Sequence, residues 1–122
     1  MTIILLFAFI PSSLAKLKSF GGKWVASNRD PVAGKELLPW GARAERAHNN
    51  LKDNFPAFAV AILLLGTMNK FDHLTTWAAG LYVAGRLGHF ISYTAGNVQL
   101  RFVTYILALS ANLYLLGKVL AN

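Results

Sequence analysis

The amino-acid sequence predicts an all-α membrane protein, an antiparallel bundle of four transmembrane helices making one domain over residues 1–122. Three observations carry that expectation. Apolar residues are 55% of the chain and charged residues only 14%, with a mean hydropathy of +0.44. A soluble domain holds about 25% charged residues, so this chain lacks the charge to solvate a globule. The apolar residues gather in four stretches close to membrane length. Short connections follow the second and third stretches, which makes successive helices antiparallel neighbours.

The first stretch runs from Met1 to about Leu17. Crossing a hydrocarbon core of roughly 30 Å takes about 20 mainly apolar residues, so this one is slightly short. Pro11 cannot donate a backbone hydrogen bond and predicts a bend. Ser13-Leu14-Ala15 also resembles a signal-peptide cleavage site, but no positive charge precedes the apolar run, which favours a retained helix. The second stretch, Phe55 to about Met68, reaches spanning length only if the amphipathic lead-in from Leu38 belongs to the same helix. The third, about Leu74 to Ala95, and the fourth, about Phe102 to Leu120, reach it directly. Between the first two, Lys18 to Leu38 carries Gly21, Gly22, Pro31 and Gly34 and reads as a loop. The turns at Asn69-Lys70-Phe71-Asp72 and around Gly96-Asn97 are short, and no internal repeat is visible.

Twelve Lys and Arg against five Asp and Glu give a net charge of +7. In a soluble protein that would suggest nucleic acid. Here seven of the twelve (Lys16, Lys18, Lys23, Arg29, Lys35, Arg43 and Arg46) flank or occupy the first connection, where membrane orientation explains them and no nucleic-acid partner is needed. The first and third connections are expected in the cytoplasm, with both termini on the opposite side. The chain has no cysteine, which excludes disulfides and thiolate metal sites, and no metal site is expected.

Polar residues inside the apolar stretches mark the candidate site, because buried charge is expensive and usually functional or paired. On the second helix Arg43, Arg46, Asn50, Asp53 and Asn54 recur every three or four residues and are expected on one face. On the third, Arg86, His89 and Tyr93 do the same, with Arg86 a candidate ion-pair partner for Asp53. Gly80, Ala84 and Gly88 predict a small-residue ridge for close packing. Arg101 opens the fourth helix one turn before Tyr105. There it either snorkels to the headgroups or joins the helix's positive end in favouring an anion. Together these residues suit a small anionic ligand at the cytoplasmic membrane face.

These residues resemble a known family, the membrane-associated proteins in eicosanoid and glutathione metabolism. The strongest match is Arg46-Ala-His-Asn-Asn50-Leu-Lys-Asp53-Asn-Phe-Pro56, similar to the family's second-helix pattern. Arg86-Leu-Gly-His89-Phe-Ile-Ser-Tyr93, with Arg101 and Tyr105, looks like its third- and fourth-helix signature. The loop Asn28-Arg29-Asp30-Pro31 and the small size resemble the bacterial branch, implying a bacterial inner membrane. The resemblance implies a homotrimer with sites between subunits, glutathione bound near the cytoplasmic side, and lipophilic substrates arriving from the lipid. It assigns ligand contacts to Lys16, Arg46, Asn50, Asp53, His89, Tyr93, Arg101 and Tyr105, with Arg101 stabilising the thiolate and Tyr93 a second donor.

The implied activity is a glutathione-dependent transferase or peroxidase acting on lipophilic electrophiles. The alternative is a non-catalytic trimer, or a subunit of a larger membrane complex, that binds lipid or another anion. Three departures from the family pattern favour the alternative: Asp53 for Glu, Asn49 for an Arg, and Lys16 for Arg, which loses the planar bidentate fork. An ion or proton pathway through Arg86, His89 and Asp53 is a third reading, and the chain has few acidic groups to serve it.

Overall fold

The structure, a computed structural model, describes residues 1–121, and its regular elements are all α-helices. The first span is made of α1, Thr2–Phe7, and α2, Ile10–Phe20. They are broken at Ala8 and Phe9, the turn before Pro11, whose missing N–H would otherwise bond the Phe7 carbonyl. The bend expected at Pro11 is therefore present, slightly upstream. Gly21, at φ 86°, ends α2. The connection read as a loop contains a single helical turn, α3, Gly22–Val25, with Trp24 stacked on Phe20 at 4.2 Å between ring centroids.

The second span, α4, is one helix over Pro39–Thr67, so the polar lead-in and the apolar stretch are continuous as expected. At 1.5 Å per residue its 29 residues extend about 43 Å. Pro39 stands in its first turn, where a missing N–H costs nothing. The third span, α5, covers His73–Ala95. Asp72 caps it by accepting from Thr75 N, while the Thr75 hydroxyl oxygen accepts from Asp72 N, a reciprocal capping box. Gly96, in the left-handed region at φ 83°, terminates it. Asn97 then caps α6, Val98–Leu120, through Leu100 N at 3.0 Å.

Two spans, Thr2–Phe20 and Val98–Leu120, are apolar and long enough by composition alone to cross a membrane. Contrary to the sequence expectation, α5 does not qualify on composition, although it has 23 residues. It carries Arg86 and His89, and both are buried inside the bundle. Many outward side chains are large and apolar: Ile3, Leu63, Trp77 and Phe102 are 74%, 67%, 68% and 65% exposed. Such a surface suits lipid and not water.

The helices touch most closely where glycine removes a side chain. A Cβ on Gly85 would lie 3.1 Å from Ala108 Cβ and from the Thr104 carbonyl oxygen, so Gly85 sets the α5–α6 approach. The close-packing ridge is thus Gly85 and Gly88. Gly80 and Ala84, predicted to belong to it, face outward. The register error comes from reading four-residue spacing without knowing which face meets α6. On the other side of the bundle a Cβ at Gly41 would sit 2.2 Å from Ala15 Cβ, a collision that glycine avoids where α2 crosses α4. Phe58 stacks on Tyr82 at 4.0 Å and 7° at the heart of the core, with Ala61, Leu65, Ala108 and Leu115 around them.

Candidate functional site

Two polar clusters lie at neighbouring levels of the bundle, both built on one stripe of α5. Tyr82, Arg86, His89 and Tyr93 follow each other at four-, three- and four-residue steps and project from one side of that helix. Tyr82 and Arg86 turn to α4, whereas His89 and Tyr93 meet the start of α6.

The deeper cluster satisfies a buried cation without a carboxylate. Arg86 is 1% exposed, and its Nη2 donates to Asn50 Oδ1 at 2.6 Å and to the Asn50 carbonyl at 3.2 Å. The Asn54 amide donates to that same carbonyl at 2.8 Å, and Tyr82 donates its hydroxyl hydrogen to the Asn54 carbonyl at 2.9 Å. Arg86 Nε has no partner among the described residues. Asn50 therefore occupies the place that the sequence offered to Asp53. Within the protomer Arg86 and Asp53 do not pair, because Asp53 is exposed on α4's outer face with Arg46 and Asn49. The stripe expected on one face of α4 splits in two. Asn50 and Asn54 point to α5, and Arg46 and Asp53 point away from the bundle.

The shallower cluster forms a pocket. His89 is 4% exposed, and its Nδ1 lies 3.0 Å from the Arg101 carbonyl oxygen. A carbonyl only accepts, so Nδ1 carries the proton in this contact. Nε2 is buried without a partner among the described residues. The imidazole meets Tyr93 edge-on at 5.7 Å and Tyr105 at 5.8 Å between centroids. The Arg101 guanidinium lies over the Tyr93 ring, 4.5 Å from its centroid, a cation–π contact that aims it across the helix ends. A pocket of about 240 Å³ opens here, lined by His89, Val98, Arg101, Phe102 and Tyr105.

Four of the eight sequence-predicted site residues, His89, Tyr93, Arg101 and Tyr105, are thus assembled around α5 and α6. The other four are not in this pocket. Asn50 is engaged by Arg86, and Lys16 forms an ion pair with Glu45 at 2.5 Å where α2 crosses α4. Arg46 and Asp53 face outward. Tyr82 was missed by the sequence reading. The signal was available, since it stands one turn before Arg86 on the same stripe.

Ligand sites for drug-sized molecules usually enclose about 300–1,000 Å³. The 240 Å³ pocket of one protomer falls below that range. Among the described residues its charged side chain is a single cation, Arg101, placed at the first turn of α6, where the helix end also favours anions.

Comparison with known proteins adds one match. The model of the MAPEG family matches residues 1–121. No curated protein and no solved structure matches the chain.

Proposed function

The chain belongs to the MAPEG family, and from that premise we propose that it is an integral membrane glutathione-dependent transferase or peroxidase for lipophilic electrophiles. The single observation that carries this reading is Arg101, fixed over Tyr93 at the mouth of a pocket walled by His89 and Tyr105. A free thiol has a pKa near 8.5 and is mostly protonated at neutral pH, and an adjacent cation lowers that value. In a pocket screened by lipid and aromatic rings, a fixed guanidinium favours the thiolate more than it would in water. His89 anchors the first turn of α6 through the Arg101 carbonyl, and its shielded Nε2 makes it a positioning residue and not the thiol's proton acceptor. The thiol proton leaves to solvent at the cytoplasmic side, where the cation-rich Lys18–Leu38 connection is assigned.

The pocket's small volume and the outward Arg46 and Asp53 support a site completed by a second copy, in a homotrimer. In that assembly Arg46 and Asp53 supply further contacts, while Asn50 and Lys16 are held within the protomer by Arg86 and Glu45. Those same outward residues also support the second reading, a non-catalytic lipid- or anion-binding trimer or complex subunit, since half of the expected contacts lie away from the pocket in the protomer.

Thiolate absorbance on adding millimolar glutathione to the purified oligomer separates the two. The enzyme reading expects a signal that Arg101→Ala abolishes and Arg101→Lys keeps in part. Neither binding nor a thiolate signal in the unmodified protein leaves the non-catalytic reading.

A further inference from the structure

A second amphipathic groove lies on the other side of α4, away from the Arg86 and His89 clusters. It runs between α1 and α4, encloses about 380 Å³, and is lined by Thr2, Leu5, Leu6, Phe9, His48 and Lys52. The break between α1 and α2 at Ala8 and Phe9 opens it, and Leu6 and Phe9 stay 64% and 47% exposed. His48 and Lys52 are one turn apart on α4, so both reach the same groove.

Depth gives the groove its meaning. Arg43 donates to the Thr94 carbonyl near the end of α5 and marks the cytoplasmic end of the packed helices. Lys52 is nine residues further along α4, about 13 Å deeper at 1.5 Å per residue. An exposed ammonium at that depth requires a counter-charge. Of the carboxylates on this part of α4, Glu45 is already bonded to Lys16, and Asp53 forms no ion pair with Lys52 among the described residues. The first span runs antiparallel to α4, with Ala15 of α2 beside Gly41 and Leu5 and Leu6 of α1 lining the same groove as Lys52, so an apolar wall from α1 faces a basic one from α4. An apolar wall facing a basic one suits an anionic amphiphile, its phosphate on the basic side and an acyl chain on the apolar side.

We infer that this groove binds an anionic phospholipid of the cytoplasmic leaflet, with its phosphate at Lys52 and His48 and one acyl chain along Leu5, Leu6 and Phe9. None of the residues lining this groove is among those proposed to hold glutathione, so the two sites are tested separately.

The test is native mass spectrometry of the oligomer released from nanodiscs of equal phosphatidylglycerol and phosphatidylcholine. A basic residue near the membrane surface favours anionic lipid by about fivefold. One phosphatidylglycerol per protomer is expected, retained about fivefold over phosphatidylcholine. Lys52→Gln should erase the preference and Lys52→Arg should keep it. Lys23→Gln, in the solvent loop, should change nothing, and thiolate formation with glutathione should survive Lys52→Gln. Equal retention of both lipids, or a preference that persists in Lys52→Gln combined with His48→Gln, overturns the site. Should Lys52→Gln not assemble, Leu6→Trp fills the groove with Lys52 and His48 intact and is expected to displace the lipid. Undiminished phosphatidylglycerol there overturns the proposal as well.

Discussion

The two polar faces of α4 have different partners. Its inner face, Asn50 and Asn54, closes a network with Tyr82 and Arg86 entirely inside the protomer. Its outer face, Arg46 and Asp53, carries full charges and finds no ion-pair partner among the described residues. The difference teaches how a membrane helix handles polarity. Neutral amides satisfy a buried cation at close range, whereas formal charges are turned towards whatever lies outside the bundle. In the proposed assembly, α5 and α6 hold one half of the site and α4 presents the half that requires a neighbour.

The largest effect that would break the comparison is on chemistry. Removing one donor aimed at a developing anion costs about 10²–10³-fold in rate. Arg101→Ala should lower conjugation of a chlorinated nitroaromatic by that factor, while Asp53→Ala, outside the pocket, should lower it less. Equal losses in the two variants would mean that the halves do not differ in role.

Next is the inner network. Asn50→Leu keeps the volume and removes the side-chain acceptor 2.6 Å from Arg86 Nη2. A buried donor left unsatisfied costs about 1–3 kcal/mol, more if it is charged. The melting temperature in detergent should fall accordingly, with Asn50→Asp recovering most of it by supplying a carboxylate at the same place. A stable Asn50→Leu protein would show that Arg86 has another acceptor.

The outer face should respond more weakly. An exposed ion pair contributes about 0.2–1 kcal/mol, so Asp53→Ala should change protomer stability by no more than about 1 kcal/mol and act mainly on oligomer yield. A loss of about 3–5 kcal/mol, the value for breaking a buried pair, would place Asp53 in a sealed contact between copies and erase the contrast with Asn50.

These contrasts also mark where the sequence was legible. Spans and turns followed from apolar length and from the short polar stretches at Asn69-Lys70-Phe71-Asp72 and Gly96-Asn97, because those signals act locally. The grouping of His89, Tyr93, Arg101 and Tyr105 was legible too, since they sit on two adjacent helices joined by a turn of two residues. Less legible was the division of α4. Asn50 and Asp53 are three residues apart and nominally share a face, yet about 60° of rotation, the remainder of three 100° steps from a full turn, sends one inward and one outward. The same uncertainty misplaced the glycine ridge by one residue, from Ala84 to Gly85. Rotation about the helix axis is fixed by the neighbouring helix, and no local signal contains it.

The smallest expected effect lies at the far end of the bundle and supplies the opposite case to Arg86, a charge matched by a carboxylate in solvent. Asp72 accepts from Lys118 Nζ at 2.7 Å and from Thr75 N at 2.8 Å. The Lys118 hydrogen bond, followed by that of the Thr75 backbone, holds the carboxyl at about 2, below its ordinary 3.8. Its folded-state pKa is depressed, so the stabilisation is fully present above 3.8 and is lost as pH falls towards about 2. Melting temperature should therefore drop across that window more in the unmodified protein than in Asp72→Asn. Asparagine remains a good N-cap, so this substitution removes the charge and leaves the cap. Added salt should shrink the difference, because the pair is exposed to solvent and screened. The Arg86–Asn50 contact holds no group that titrates in this range, so the increment lost by Asn50→Leu should be the same at pH 4 and pH 2. A pH-dependent increment there would mean that a carboxylate shares the inner network, and the division between the two faces of α4 would fail.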